Sequence, residues 1–160
     1  KDFKKAIKDA LAYDRKVIVE EAIDGREIEC GVIGNEEPLM SVPGELIPKE
    51  EFYTYKAKYD DASGTEYRVP AILSKEEIKK IQNTVRKAYI ALSCEGMGRV
   101  DCFLKKSGEV LVNEINTIPG PVMFRRMWEA SGVPFSKLLD MLINLALDRF
   151  KEEQKLKTTF

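Results

Sequence analysis

The sequence predicts an α+β fold of antiparallel sheets covered by helices, and three observations carry that prediction. Residues 26–34 and 97–116 alternate apolar and polar side chains at the period of a half-buried strand. Turn signals punctuate the strand-like runs: Asn35-Glu36-Glu37-Pro38, Pro43-Gly44 and Ser107-Gly108. A segment opening at Ser74 carries a capping box followed by apolar residues at helical spacing.

Taken in order, Asp2–Tyr13 place Phe3, Ala6, Ile7, Ala10 and Leu11 at helical spacing. This helix opens almost at the first residue, which reads as a fragment of a longer chain. The run KVIVEEAI (residues 16–23) is β-rich, and its dense Val17-Ile18-Val19 predicts a strand buried on both faces. Asp24-Gly25 then predicts a hairpin turn. The strand Arg26–Gly34 puts Ile28, Cys30 and Val32 on one face, and Glu27, Glu29 and Gly31 on the other. Leu39–Val42 and Glu45–Ile47 predict two more strands, with one helix covering this half of the chain.

Glu50–Asp61 interleaves Phe52, Tyr53, Tyr55 and Tyr59 with Lys56 and Lys58, then enters Ala62–Glu66, of flexible-loop composition. Two readings fit. One is a strand followed by a surface loop, which the residue pattern by itself favours; the other is a mobile flap that brings Lys58 over a ligand. In the capping box the Ser74 hydroxyl accepts from the Glu77 amide while Glu77 reaches back. Its helix runs to about Leu92 with Ile78, Ile81, Val85, Ala88, Tyr89 and Leu92 on one face. Val122–Ala130 predicts a short helix. Pro134 and Ser136 open a last one, carrying Leu138, Leu139, Leu142, Ile143, Leu145 and Ala146, with a charged tail, Arg149–Lys157, expected to fray.

Composition narrows the chemistry. The 26 basic and 27 acidic residues nearly cancel and form no basic block, which argues against nucleic-acid binding as the main role. No stretch is long and apolar enough to span a membrane. Cys30, Cys94 and Cys102 stand far apart without CxxC spacing, as expected of reduced, buried thiols in the cytoplasm. The chain contains no histidine, so it cannot hold a Ser–His–Asp triad, a Cys–His pair or a histidine-based zinc site. Any catalysis here must rely on carboxylates, lysine, arginine, backbone amides and bound metal.

Gly96–Gly120 (GMGRVDCFLKKSGEVLVNEINTIPG) concentrates such groups. If Lys106 and Glu109 flank a two-residue loop, Asp101 falls opposite Glu114 and Arg99 opposite Asn116, all four on one face. Two facing carboxylates repel, so something positive belongs between them. A solvated hairpin with an Arg–Asp–Glu salt bridge would satisfy that. So would a divalent cation held by two carboxylates and an amide carbonyl, the hard oxygen donors that magnesium prefers.

Four motifs in order extend the second reading: VIVEEAIDGRE, FYTYKAKY, GxGRVD and NEINTIPG. Together they resemble the C-terminal portion of the D-alanine–D-alanine ligases of the ATP-grasp superfamily, across nearly the whole chain. The resemblance implies an ATP-grasp fold. It implies ATP-dependent ligation of two D-alanines through an acyl phosphate, for peptidoglycan synthesis, in the cytoplasm, by a homodimer when full length. On this basis residues 1–48 form part of a nucleotide-binding subdomain, 49–72 a flap, and 73–160 a metal- and substrate-binding subdomain.

The same resemblance assigns roles. Asp101, Glu114 and Asn116 match ligands of two Mg²⁺ ions, with Mn²⁺ as an alternative. Arg99 matches the arginine on the acyl phosphate and tetrahedral intermediate, and Lys58 a flap lysine on the ATP phosphates. Glu20, Glu21 and Ile23 fall where adenine is read, and Glu27 matches the ribose-binding glutamate, although by itself it reads as a solvated strand residue. Gly120 matches a backbone amide near the first D-alanine, and Tyr59 the tyrosine that accompanies an amine nucleophile. The chain departs from the family pattern in two ways. It lacks the N-terminal domain and phosphate loop, and its segment after Gly120 is short, with no serine for the second substrate. Other ATP-grasp carboxylate–amine ligases, such as D-alanine–D-serine ligases, and a non-catalytic nucleotide-binding module are the alternatives.

Overall fold

A computed structural model describes residues 2–48 and 65–157. Its elements in order are α1 (Phe3–Ala10), β1 (Gly25–Ile33), β2 (Leu39–Met40), β3 (Gly44–Pro48), β4 (Thr65–Arg68), α2 (Lys75–Ala91), β5 (Met97–Lys105), β6 (Val110–Asn116), α3 (Pro121–Ala130) and α4 (Phe135–Glu153). The strands form one antiparallel sheet in the order β4-β3-β1-β5-β6, with β2 paired to the end of β1. The sheet therefore joins residues that the sequence divided between a first and a third segment. Among the described residues no helix is long and apolar enough to cross a membrane.

Alternation along β1 sorts its side chains between two covered faces. Ile28, Cys30 and Val32 join Val100, Cys102 and Leu104 of β5 under Ile81, Val85 and Tyr89 of α2. Each such buried aliphatic side chain is worth about 1.5–3 kcal/mol. The Tyr89 hydroxyl donates to the Gly34 carbonyl at 3.0 Å, which satisfies the polar end of a buried ring. Behind the opposite face Ile33 packs with Phe124, Trp128 and Leu138, the two aromatic rings meeting edge to face at 6.3 Å. Gly31 lets α3 approach the sheet. A Cβ there would lie 3.0 Å from Trp128 Nε1, 3.2 Å from Ser41 Oγ and 3.3 Å from a Phe124 ring carbon. Gly31→Ala is therefore expected to cost about 1–3 kcal/mol in urea unfolding, and a variant as stable as the parent would show that α3 yields easily.

Glu45 ties the strands on the α2 side. Arg26 donates to both its carboxylate oxygens at 2.7 and 2.8 Å, and Arg68 lies 3.8 Å away. The bond from Arg26 holds the Glu45 carboxyl below its ordinary value, against the opposing effect of burial. A depressed carboxyl pKa contributes stability above the unfolded value, about 4.3, that is lost as pH falls through the folded value. Glu45→Gln is expected to cost about 1–2 kcal/mol at pH 7, since Arg26 is partly exposed. Thermal melts should show this gap closing below pH 4; a gap independent of pH would mean that the glutamate acts by packing alone.

Several expectations are corrected. KVIVEEAI is not a strand: among the described residues none pairs with it, and Ile18 is 81% exposed. Apolar density favours an extended chain, but a ladder also needs a free edge, and β3 and β5 already flank β1. Asp24-Gly25 consequently makes no hairpin, and Gly25 simply opens β1. α1 forms, with Asp2 accepting from the Lys4 and Lys5 amides, yet it buries no residue and does not cover the sheet. That role falls to α2 and α3. Pairing beyond Leu39 stops at Met40. Thr65–Arg68, expected to begin in a flexible loop, pairs with β3.

The capping box forms as expected, but Leu92 at the α2 C-cap is exposed. α4 continues into the charged tail as far as Glu153, where Arg149 bridges Glu95 at 3.0 Å and Glu153 at 2.9 Å. All three cysteines are free thiols. Burial pushes Cys30 and Cys102 up to about 12, whereas Cys94 is only half-buried.

Candidate active site

The β5–β6 hairpin sets the site, and its register arises differently from the two-residue loop. The Lys105 amide donates to the Glu109 carbonyl at 2.9 Å, so three residues, Lys106–Gly108, make the turn, with Gly108 at φ 77°. That shifts pairing by one, and Cys102 faces Val112. A bulge between Asp101 and Cys102 then shifts it back, so that Asp101 faces Glu114 and Arg99 faces Asn116. The opposition inferred from the sequence is present, through two irregularities that cancel.

β1 adds a third carboxylate. In the β1–β5 register Glu29 faces Asp101 and Glu27 faces Phe103. Directly opposed residues point to one side of a sheet, so Glu29, Asp101 and Glu114 form a row across three neighbouring strands. Glu27 stands on the same side, two residues along β1. Nothing in the local sequence signals this row, because the β1–β5 pairing joins distant parts of the chain.

Arg99 and Asn116 hold the row together. The Arg99 guanidinium donates through Nε and Nη2 to the two oxygens of Asp101, each at 2.7 Å. The same Nε lies 3.5 Å from Glu29 Oε1. Asp101 is 0% exposed, Glu29 2% and the Arg99 side chain 12%. Burial works against the guanidinium's charge, but the bonds to Asp101 and the nearby Glu29 and Glu114 outweigh it, and the Arg99 pKa is raised. Asn116 Nδ2 donates to Asp101 Oδ2 at 3.3 Å and to Glu114 Oε1 at 3.2 Å.

This geometry bears on metal binding. Among the described residues no group of three His, Cys, Asp or Glu side chains is arranged to hold a metal. Magnesium, however, is commonly held by one or two carboxylates, with water and substrate phosphate completing its shell. Asp101 Oδ2 and Glu114 Oε1 converge on one atom, Asn116 Nδ2, and a rotation of that amide would turn its oxygen towards the same point. The donor set fits a hard cation, which must compete with Arg99 for Asp101.

A cleft of about 320 Å³ opens beside this row at its Glu29 end, lined among others by Glu29, Tyr67, Arg99, Asn116, Gly120 and Met123. Gly120 caps α3 without a side-chain hydrogen bond, Pro121 follows it, and the start of the helix lines the cleft. Uncapped amides at a helix N-terminus favour anions. At φ −54° any residue could replace Gly120, and a Cβ would meet nothing within 4 Å. The protein's own packing thus does not require this glycine. Gly120→Ala should leave the melting temperature unchanged while weakening the binding of any ligand that approaches its backbone, read as a rise in that ligand's KM or Kd. An unaltered KM would place the ligand elsewhere.

Glu21 and Ile23 line a second cavity of about 330 Å³ against Lys105 at the end of β5 and Lys106 and Ser107 of the hairpin turn, where Lys106 pairs with Asp24 at 3.1 Å. Glu20 precedes them in the same unpaired segment. Lys58 and Tyr59 lie outside the described residues. Sequence reasoning missed Glu29, Tyr67 and Met123 as lining groups. Glu29 shares a strand face with Glu27, but that pattern does not say which distant strand the face will meet.

The antiparallel sheet and its helices match those of ATP-grasp D-alanine–D-alanine ligase structures. The family model described as D-ala D-ala ligase C-terminus matches residues 1–144, and the chain belongs to that family. It is 48% identical over 160 residues to the D-alanine–D-alanine ligase of Oceanobacillus iheyensis, a match covering 98% of this chain and 44% of that protein. The structure of the D-alanine–D-alanine ligase from Coxiella burnetii superimposes with a TM-score of 0.83 at 44% identity, over 96% of this chain and 40% of the other. The D-alanine–D-alanine ligase from Bacillus anthracis complexed with ATP matches with a TM-score of 0.76 at 31% identity, over 94% of this chain and 49% of the other. The chain thus spans less than half the length of these relatives.

Proposed function

We propose that this chain supplies the metal- and nucleotide-handling half of an ATP-dependent ligase that joins two D-alanines. The row Glu29–Asp101–Glu114, with Arg99 and Asn116 lining the adjoining cleft, is the observation that carries the reading. The names of the relatives support the substrate, and ATP bound to one of them supports the cosubstrate.

In this reading the carboxylate of one D-alanine attacks the γ-phosphorus of ATP, and ADP leaves. The amine of a second D-alanine then attacks the acyl carbon, inorganic phosphate leaves with the C–O electrons, and a proton is released from nitrogen. Phosphoryl transfer of this kind is chiefly positioning and charge neutralisation, so a site without histidine suffices. Asp101, Glu114 and Asn116 would hold divalent magnesium, in the number of two expected from the family. Bound there, it would neutralise charge on the phosphates. Arg99 offers a planar fork to the acyl phosphate and to the oxyanion that follows. The N-terminal amides of α3 at Gly120 orient the first D-alanine.

Glu27 accepts from the ribose hydroxyls, and Glu20, Glu21 and Ile23 bound the adenine beside the hairpin turn. From the family resemblance, Lys58 is assigned to the ATP phosphates and Tyr59 to the preference for an amine nucleophile. Residues 1–48 serve mainly the nucleotide, and 73–160 the metal and substrate. The enzyme works as a cytoplasmic homodimer without nucleic-acid or membrane partners.

The deciding experiment measures phosphate release by the full-length protein. Release from ATP should require D-alanine and Mg²⁺ and yield the dipeptide. Release dependent on a different amino acid would reassign the substrates. Binding of Mg-ATP without turnover would make the protein a nucleotide-binding module.

A further inference from the structure

Arg99 is held by two carboxylates, and one of them has a competing task. In the structure both Asp101 oxygens are taken by the guanidinium at 2.7 Å, while Glu29 stands 3.5 Å from the same Nε. A cation at Asp101 must claim at least one of those oxygens, since a carboxylate already accepting a bidentate fork has few lone pairs left. The guanidinium then loses part of its compensation in a place where its side chain is only 12% exposed, and removing one partner of a buried pair is costly.

We infer that Glu29 is a positioning residue that receives Arg99 when Asp101 turns to the metal, so that arrival of the cation and relocation of the guanidinium are one exchange. Glu29 is suited to this. It is buried, it faces Asp101 directly across the β1–β5 pair, and it lines the cleft into which Arg99 would swing. Gly44, its neighbour on the β3 side, brings no side chain of its own between Glu29 and the cleft. Because Glu29 acts through Arg99, its contribution to metal binding must vanish when the guanidinium is absent. The inference rests on the ligase reading of the site and adds a residue to it.

The test is a titration of the full-length protein with Mn²⁺ alone, followed by loss of the free-ion EPR signal. Glu29→Gln should weaken Mn²⁺ binding about 10- to 100-fold, the usual effect of removing an outer-shell partner. In an Arg99→Gln background the same replacement should change binding by less than about twofold, a coupling that a double-mutant cycle isolates. An equal loss in both backgrounds would mean that Glu29 acts directly on the cation, and would overturn the exchange.

Glu29→Asp keeps the charge but withdraws the carboxylate from Arg99, and serves also if the glutamine variants do not fold. At least about fivefold weaker binding is expected of it, whereas unchanged binding overturns the inference. Wild-type protein that binds Mn²⁺ and loses nothing in Glu29→Gln overturns the inference alone. Wild-type protein that neither binds Mn²⁺ nor releases phosphate with D-alanine overturns the ligase reading and the inference together.

Discussion

Asp101→Asn and Glu114→Gln are each expected to reduce Mg²⁺-dependent phosphoryl transfer by the full-length protein by about a hundredfold or more, since outer-shell partners alone are worth 10- to 100-fold. Their effects on stability should diverge. Read as a bare like-charge pair, the hairpin predicts that either change would relieve repulsion and leave the metal-free fold unharmed or slightly firmer. The structure corrects this for Asp101, which is fully buried and neutralised by both nitrogens of the Arg99 fork. Removing that charge strands a mostly buried guanidinium, and unfolding free energy should fall by about 3–5 kcal/mol. Glu114 is exposed, and its replacement should cost less than about 1 kcal/mol. Urea unfolding with a phosphate-release assay separates the two effects. Equal stability losses would show that the pair acts as one structural unit, and full activity in Glu114→Gln would remove it from the metal site.

Arg99→Lys should have the next largest effect. Lysine keeps the positive charge between Asp101 and Glu29 but provides a single point donor in place of the fork. The fold should survive, with a loss of about 1–3 kcal/mol for the missing hydrogen bond. kcat should fall about 10²- to 10³-fold, the usual result of removing one donor to a developing oxyanion. The KM for ATP should move little, because the role proposed for the arginine lies with the acyl group. A fall confined to the KM for ATP would place Arg99 on the nucleotide.

Much of the site was legible because its main parts share one hairpin. Arg99, Asp101, Glu114 and Asn116 lie within twenty residues, and strand alternation with a turn signal is enough to bring them to one face. The opposition of Asp101 and Glu114 came out correctly although the loop holds three residues and a bulge follows. A pattern of polar and apolar positions contains no count of the residues that a turn or bulge absorbs. The capping box at Ser74 and the helical stripe behind it were equally local, and both are present.

What the sequence by itself determined is therefore the set of elements with a clear local pattern: β1, β3, α2, the β5–β6 hairpin with its polar face, α3 and α4. Tertiary structure decided which of the remaining segments found an edge to pair with. KVIVEEAI has the residues of a buried strand and none among the described residues pairs with it, whereas Thr65–Arg68 reads as loop and joins β3. It also decided that Glu29 stands beside Asp101, with Arg99 between them. Backbone pairing between distant strands is set by the whole core packed under α2 and α3, and a local window of sequence carries no trace of it.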